Sequence, residues 1–219
     1  MKLGFLSDAH GNPAALEAGL DALAKRGVTK TWFLGDAFGY VPGDEVLRVL
    51  KKWELPWILG NHDALTVGIC APGENAEIYN HPVLDEKIQD ELRSLPDQLH
   101  LDVDGRRFLL VHGSPADPTF GYVYEDTNLK QFGARDEDFV VMGHTHRPFV
   151  RPCGKTVYVN AGSCAMPRDG DLRGAAAVVE TRTMRAEIIR FEIGDAIRKA
   201  LSRGDLHPVV RKALERLVI

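Results

Sequence analysis

Histidine, aspartate and asparagine residues stand directly behind five short apolar runs of this sequence, where they could bind metal ions. The candidate ligands are Asp8, His10, Asp36, Asn61, His112, His144 and His146. Carboxylate, amide and imidazole ligands without a thiolate suit a hard or borderline divalent cation, with manganese preferred over iron, nickel or zinc. Seven ligands exceed the need of one ion, so the sequence predicts two divalent metal ions that share a bridging carboxylate.

The apolar runs that precede these ligands are expected to be β-strands buried on both faces, because they are short and rich in aromatic or branched residues. They cover residues 2–7, 31–35, 56–60, 108–111 and 139–143. Further strands are predicted at 156–160, 175–180 and 186–192. The last of these alternates polar and apolar residues, so it is expected to be half exposed and paired with the strand before it.

Helical segments lie between several of these strands. Asn12 is a suitable N-cap for a helix over residues 13–26, with proline at its first position and Gly27 at its end. Further helices are predicted at 44–52, 82–95 and 195–219, the last with a break at Pro208.

The alternation of strand and helix implies parallel strands joined by right-handed crossovers. In such sheets ligands bind beyond the carboxyl ends of the strands, so the five polar clusters are expected to converge at one edge. Within two clusters, Asp8 and His10, and likewise His144 and His146, are separated by one residue. On an extended chain this spacing would place both side chains of each pair on the same face.

In their order along the chain, the clusters resemble the five signature blocks of the calcineurin-like metallophosphoesterase superfamily. The blocks are Asp8-x-His10, Gly35-Asp36, Gly60-Asn61-His62-Asp63, His112 and Gly143-His144-x-His146, which together span about two-thirds of the chain. Each block alone is a weak signal, whereas all five in order, each behind a predicted strand, form a specific pattern. The resemblance implies an α/β fold of two packed mixed β-sheets flanked by helices, a four-layer α/β/β/α sandwich in which residues 1–219 form a single domain.

The resemblance also implies roles for these residues. Asp8, His10, Asp36 and His146 would hold the first metal, and Asp36, Asn61, His112 and His144 the second, with Asp36 bridging. A hydroxide shared by the two metals would attack phosphorus. His62 would be the catalytic residue that protonates the leaving group, or else it would only orient the metal ligands. Asp63, or another acidic group, would orient His62.

Two residues are candidates for contact with a substrate. Asn12 either touches the substrate and steadies the first cluster or serves as the cap of its helix. Arg168 lies in a segment that resembles the family and would bind phosphate, with a solvated loop arginine as the alternative. The segment 113–136, rich in proline, glycine and aromatic residues, would either form a lid or pack over the sheet edge.

The composition argues against several other classes of protein. The net charge of −4 lacks the basic excess of a protein that binds long nucleic acid. No apolar run approaches the ~20 residues of a membrane span, and the first residues do not have the pattern of a signal peptide. Three cysteines are too few for a disulfide framework, so a cytoplasmic protein with reduced thiols is expected.

Two departures from the family pattern narrow the expected substrate. The serine/threonine protein phosphatases of the superfamily carry an arginine soon after the second block and a glutamate after Gly-Asn-His. Here residues 37–44 contain no arginine, and Asp63 stands in the place of the glutamate. The chain instead resembles compact bacterial and archaeal phosphodiesterases, which implies a phosphodiesterase acting on small phosphodiesters or nucleotides. The alternatives are a phosphomonoesterase or dinucleoside polyphosphate hydrolase and, less favoured by the complete ligand set, a non-catalytic scaffold.

Overall fold

Two mixed β-sheets form the centre of the molecule. The computed structural model describes residues 1–70, 78 and 82–218. The strands are β1 (Lys2–Leu6), β2 (Lys30–Phe33), β3 (Gln98–Val103), β4 (Arg106–Val111), β5 (Phe139–Met142), β6 (Phe149–Cys153), β7 (Thr156–Asn160), β8 (Gly174–Glu180) and β9 (Arg185–Phe191). One sheet has the order β2-β1-β8-β9 and the other β3-β4-β5-β7-β6. Strand β1 is parallel to β2, and β5 is parallel to β4 and β7, whereas the other neighbouring strands are antiparallel.

Helices cover the outer face of the four-stranded sheet. They are α1 (Pro13–Lys25), α2 (Val46–Lys52), α4 (Glu86–Arg93), α5 (Gly194–Leu201) and α6 (Pro208–Glu215), whereas the short helix α3 (Asn61–Thr66) begins at the third cluster of candidate ligands. Helix α1 begins at Pro13 because the side chain of Asn12 accepts a hydrogen bond from the amide of Ala15 and proline fits the first turn. The five-stranded sheet is covered by a 3-10 helix, Leu129–Phe132, and by the loop before it.

Three hydrophobic clusters separate these layers. The first lies between the helices and the four-stranded sheet. The second lies between the two sheets, where the ring of Phe5 is 6.2 Å from that of Phe108 and Phe108 stacks on Phe139 at 4.9 Å. The third lies on the outer face of the five-stranded sheet and contains Val123 and Leu129. The predicted fold, two packed mixed sheets flanked by helices, is confirmed.

Several predicted elements differ from the observed ones. The prediction of a strand at 56–60 is wrong. This segment makes one isolated parallel bridge, between Trp57 and Phe33. Strands β3 and β6 and helix α3 are additional elements. The helix predicted over 82–95 is shorter because Asp85 caps it at Glu86, and His81 before it lies outside the described residues. The break at Pro208 and the pairing of β8 with β9 are confirmed.

The helices, the cysteines and the domain assignment were also subjects of sequence-based expectations. Among the described residues, no helix is both long and apolar enough to cross a membrane. Cys70, Cys153 and Cys164 are free cysteines. The assignment of residues 1–219 to a single domain stays a prediction.

Candidate metal centre

All seven candidate ligands meet at one edge of the sheets, so the predicted convergence is confirmed. Asp8, Asp36, His112 and His144 follow β1, β2, β4 and β5, and both pairs of strands, β1 with β2 and β4 with β5, are parallel. The candidate ligands form two groups with ligand atoms within 4.8 Å of one another, namely Asp8 with His10 and His146, and Asp36 with His112 and His144, and a third group joins His10 and Asp36 to His62. Asn61 joins the second group, since its Oδ1 lies 3.0 Å from Nε2 of His112.

Asp36 lies between the two groups. Its Oδ1 accepts a hydrogen bond from the backbone amide of His62 at 2.8 Å. Its Oδ2 lies 3.3 Å from Nε2 of His112 and 3.8 Å from Nε2 of His10. One oxygen therefore fixes the carboxylate to the backbone, and the other faces ligand nitrogens of both groups.

Asp8 divides its two oxygens in the same way. Oδ2 accepts a hydrogen bond from the backbone amide of His144 at 3.0 Å. Oδ1 lies 3.2 Å from Nε2 of His146, but it is buried and makes no hydrogen bond of normal geometry with the described part of the chain. A buried anionic oxygen in this state is stabilised by a cation placed beside it.

Backbone carbonyls orient three of the imidazole rings. Nδ1 of His10 donates to O of Phe38 at 3.1 Å, Nδ1 of His112 to O of Leu34 at 2.7 Å, and Nδ1 of His146 to O of Met166 at 2.6 Å. Because a carbonyl oxygen can only accept, each Nδ1 carries a proton, and each ring directs its Nε2 into the centre. A metal ion bound at the centre would therefore be held through Nε2.

Two of these Nε2 atoms point at each other. Nε2 of His10 lies 2.9 Å from Nε2 of His146, so two lone pairs would face each other unless a cation or a proton lies between them. Nε2 of His144 is buried and has no hydrogen-bond partner among residues 1–70, 78 and 82–218. Since buried polar atoms normally have a partner, these nitrogens and the orphaned oxygen of Asp8 fit a site built for divalent metal ions.

The pKa values of the site keep most ligands ready to bind a cation. Burial lowers the pKa of His144 and that of His146 to about 4, so both rings are neutral at pH 7. Burial opposes ionisation of Asp36, but the charge of His112 outweighs it and holds the Asp36 pKa below its ordinary value. Burial also works to lower the pKa of His112, but the nearby carboxylates of Asp36 and Asp8 raise it to about 9.

The backbone at five candidate ligands is in the left-handed region. The φ angles are 59° at Asp8, 48° at His10, 58° at Asp36, 67° at His144 and 58° at His146. Such conformations are uncommon for residues other than glycine and cluster at functional sites. The expectation of extended backbone at 8–10 and 144–146 is therefore wrong, because both pairs lie in turns after their strands. The turn sends His144 and His146 to different groups rather than to one face.

Close packing and buried side chains hold these turns. A Cβ at Gly143 would lie 2.7 Å from Oδ2 of Asp8 and would collide with the hydroxyl of Ser7, so glycine is required there. Nδ2 of Asn160 donates to O of Gly143 at 2.7 Å, and Oγ of Ser163 donates to O of Asp8 at 2.8 Å. The segment that begins at Asn160 thus supports the ligand turns.

His62 lies at the start of α3, buried beside the first group of ligands. Its ring centroid is 4.9 Å from that of His10 and 4.9 Å from that of Tyr40. One of its ring nitrogens also lies within 4.8 Å of ligand atoms of His10 and Asp36. This position is compatible with a proton donor next to the metals and with an additional ligand.

Asp63 has a different environment from the one expected. Its buried carboxylate accepts hydrogen bonds from the backbone amides of Asp36 at 2.7 Å, Gly60 at 3.0 Å and Phe38 at 3.1 Å. Burial, and after it the charge of Asp36, raises the pKa of Asp63 to about 7. The carboxylate therefore joins the second and third signature blocks through the backbone, and these hydrogen bonds do not orient His62.

Asn12 and Arg168 lie beside the ligands in different settings. Oδ1 of Asn12 accepts from the amide of Ala15 at 3.1 Å, and its Nδ2 donates to O of Ala196 at 3.4 Å, so both ends of this buried side chain are engaged within the fold. Nη2 of Arg168 donates to the hydroxyl of Tyr40 at 2.9 Å from an exposed position. Arg168 and Tyr40 also line a cavity of about 660 Å³.

Two tyrosines at the site were not singled out from the sequence. The ring of Tyr40 is 4.6 Å from that of His10, and the ring of Tyr122 is 4.2 Å from that of His144. In the sequence, each tyrosine is an aromatic residue in a loop that begins at a candidate ligand, and this is the signal that could have indicated its place at the site. In the segment 113–136, Val123 is buried over the sheet whereas Tyr122 is exposed beside the site.

Comparison with known proteins now assigns the family. The model of the calcineurin-like phosphoesterase superfamily domain matches residues 1–184. The chain belongs to the calcineurin-like phosphoesterase superfamily. It is therefore a metal-dependent phosphoester hydrolase, and its buried groups of histidine and aspartate could hold the divalent metals that the family uses.

Individual relatives of this calcineurin-like phosphoesterase agree with that assignment. The phosphodiesterase YfcE of Escherichia coli K12 is 28% identical over 174 residues, which cover 78% of this chain and 83% of YfcE. An uncharacterized protein of Methanocaldococcus jannaschii is 26% identical over 215 residues, covering 87% of each chain. The crystal structure of a metallophosphoesterase from Sphaerobacter thermophilus superimposes with a TM-score of 0.81 at 26% identity, covering 100% of this chain and 99% of that one.

Proposed function

We propose that this protein is a phosphodiesterase that binds two divalent metal ions and acts on small phosphodiesters or nucleotides. The observation that carries the proposal is the position of Oδ2 of Asp36, 3.3 Å from Nε2 of His112 and 3.8 Å from Nε2 of His10. Similarity to a protein named as a phosphodiesterase supports the reaction class. The free cysteines agree with a cytoplasmic location, which we also propose.

The ligands divide between two ions, with manganese as the preferred metal. Asp8, His10, Asp36 and His146 would hold the first ion, and Asp36, Asn61, His112 and His144 the second. When bound, the ions would activate water and neutralise negative charge on the phosphoryl oxygens. The protein's contribution is to keep the carboxylates of Asp8 and Asp36 ionised and the Nε2 atoms of the ligand rings directed inward before a metal arrives.

His62 and Arg168 would act on the substrate itself. His62, buried beside His10, would donate a proton to the leaving-group oxygen as the phosphoester bond breaks. Arg168 would bind a phosphoryl oxygen through its guanidinium group, which points towards Tyr40 at the side of the same group of ligands. Asn12 is proposed as a second contact, which would be made by the N–H of Nδ2 that does not donate to O of Ala196.

Paired chromogenic substrates test this function. Bis(4-nitrophenyl) phosphate and 4-nitrophenyl phosphate share a leaving group but differ in the number of ester bonds. We expect the manganese-loaded protein to have the larger kcat/KM on the diester and to contain two ions per chain by plasma mass spectrometry.

Each other result has a definite meaning. A larger kcat/KM on the monoester would make the protein a phosphomonoesterase. Two bound ions without cleavage of either ester, in manganese, iron, nickel or zinc, would contradict catalysis. One ion per chain with full activity would contradict the shared role of Asp36.

A further inference from the structure

Two stacked tyrosines form an exposed surface at the edge of the proposed metal centre. The rings of Tyr122 and Tyr124 are nearly parallel, with centroids 6.0 Å apart and an interplanar angle of 15°. Tyr122 is 60% exposed and Tyr124 is 38% exposed. The Tyr122 ring also contacts the ring of His144 at 4.2 Å. We call Tyr122 and Tyr124 the aromatic shelf.

The loop that carries the shelf is held in place on both sides. The amide of Ser114 donates to O of Asp117 at 2.9 Å, and the amide of Tyr124 donates to Oγ1 of Thr127 at 2.8 Å. Between the two tyrosines, Val123 is buried against the five-stranded sheet. The alternation of outward tyrosine, inward valine and outward tyrosine fixes the shelf before any ligand binds, which lowers the entropy cost of binding.

We infer that the aromatic shelf binds a planar ring carried by the substrate, and that the substrate is therefore a phosphate ester of nucleotide size. The inference rests on the proposed phosphodiesterase function, because the phosphate group must sit at the ligands beside His144. Every nucleobase offers a flat π-surface to an exposed tyrosine, and such stacking needs no matching hydrogen bonds.

The surroundings of the shelf limit the size of the ligand. Glu125 and Asp126 are exposed and follow the shelf directly along the chain. Their negative charge, together with the net charge of −4, disfavours further phosphates beyond the ring. A nucleoside ester fits this balance of charge better than a polynucleotide does.

The shelf also has a defined place relative to the proton donor. His62 contacts the rings of His10 and Tyr40, whereas Tyr122 contacts the ring of His144 in the other group of ligands. The leaving oxygen would therefore lie near His62, and the substituent that stays on phosphorus would lie towards the shelf. The ring on the shelf belongs to the retained part of the substrate.

A binding experiment tests the shelf apart from turnover. Adenosine monophosphate and ribose 5-phosphate share a sugar phosphate and differ in the base, and their dissociation constants are measured by calorimetry on the manganese-loaded protein. Wild type should bind adenosine monophosphate about tenfold more tightly or better. Tyr122→Ala should lose that preference, and Tyr122→Phe should keep it. Trp53→Ala, which truncates an exposed aromatic residue at the end of α2, is the matched control and should keep it.

Equal weakening of both ligands in Tyr122→Ala would overturn the inference, since Tyr122 would then act only by supporting His144. Absence of any preference for adenosine monophosphate in wild type would overturn it as well. Hydrolysis of thymidine 5′-(4-nitrophenyl) phosphate and of methyl 4-nitrophenyl phosphate separates this inference from the proposed function. If the base preference is present but neither diester is cleaved, the shelf stands and the phosphodiesterase function fails.

Discussion

The two groups of candidate ligands use the same chemistry but differ in how far they are closed to solvent. In the closed group, Asp8, His10 and His146 are buried, and backbone carbonyls hold both imidazole rings. In the open group, His144 is 7% exposed and Asn61 is half-buried. The exposed Tyr122 ring lies against His144, whose Nε2 has no hydrogen-bond partner within the part of the chain that the structure describes.

This difference separates two tasks of a hydrolytic site. A closed group with every donor oriented before binding can hold an ion firmly, because little reorganisation is needed. The open group, whose His144 is partly exposed beside the exposed Tyr122 ring, is the side from which we expect a phosphate ester to approach. Asp36 belongs to neither group alone, since its Oδ2 faces His112 on one side and His10 on the other.

The largest effect is expected from Asp36→Asn. The substitution removes the one negative charge that faces both groups, so both ions should be lost rather than one. Because each ion contributes several kcal/mol to stabilising the transition state, kcat/KM should fall by about 10⁴-fold or more. Plasma mass spectrometry measures the loss of bound metal, and diester hydrolysis measures the loss of kcat/KM.

The matched control is Asp102→Asn, an exposed aspartate on β3. It should change neither metal content nor rate. Asparagine at position 36 still offers an oxygen to the amide of His62, so the melting temperature should stay close to that of wild type. Retention of one full ion in Asp36→Asn would assign Asp36 to a single group and would contradict its position between the two groups.

The second prediction concerns His62, which borders the closed group. His62→Ala should lower kcat by about 10²–10⁴-fold, the usual loss of a general acid, while two ions per chain remain bound. The loss of kcat should be smaller for a diester with a good leaving group such as nitrophenolate than for an alkyl diester. A poor leaving group depends more on protonation by a general acid. A fall in metal content would instead make His62 a ligand, in keeping with its nitrogen within 4.8 Å of atoms of His10 and Asp36.

The fold could be predicted where apolar runs are continuous and not where they are interrupted. Strands β1, β4 and β5 are buried over most of their length, so their sequences read as uninterrupted hydrophobic runs. Strand β6 was missed because Pro152 lies within it, which is tolerated since β6 is at the edge of its sheet. Strand β3 also lies at an edge and alternates exposed and half-buried residues, a signal that was present but weak.

The ligand types and their convergence could be predicted, but their local geometry could not. The order of the five clusters was sufficient to bring the donors to one edge. The left-handed φ of His144 and His146 was not predictable, because it depends on contacts made by residues distant in sequence, such as the bond from Asn160 to Gly143. The same is true of Asp63, whose three amide donors come together only after the second and third blocks have folded.

The third prediction tests the protonation difference between the groups in metal-free protein. The ring of His112 in the open group should stay protonated up to about pH 9, whereas His146 in the closed group should stay neutral down to about pH 4. Since a ligand must lose its proton, metal uptake by the open group should weaken as the pH falls below 9. In Asp36→Asn the first of the two anions that raise the His112 pKa is gone and burial still lowers it, so the His112 pKa should fall.

Nuclear magnetic resonance of labelled histidine rings measures these pKa values directly. His144, also near 4, provides an internal reference in the same open group. A His112 pKa below 7 in wild type, or an unchanged value in Asp36→Asn, would show that Asp36 does not set the charge of the open group.

The smallest effect is expected at Arg168, which lies beside the closed group. Its backbone amide donates to O of His146 at 3.1 Å, and its side chain donates to Tyr40, so the guanidinium is held without belonging to the ligand set. Removing one charge-assisted contact costs about 1.5–3 kcal/mol, so Arg168→Ala should raise KM about tenfold or more with both ions retained. Tyr40→Phe removes the hydroxyl that steadies the guanidinium and should raise KM less. If Arg168→Ala lowers kcat and leaves KM unchanged, Arg168 acts in the transition state alone, and substrate binding then depends on the open group and its tyrosines.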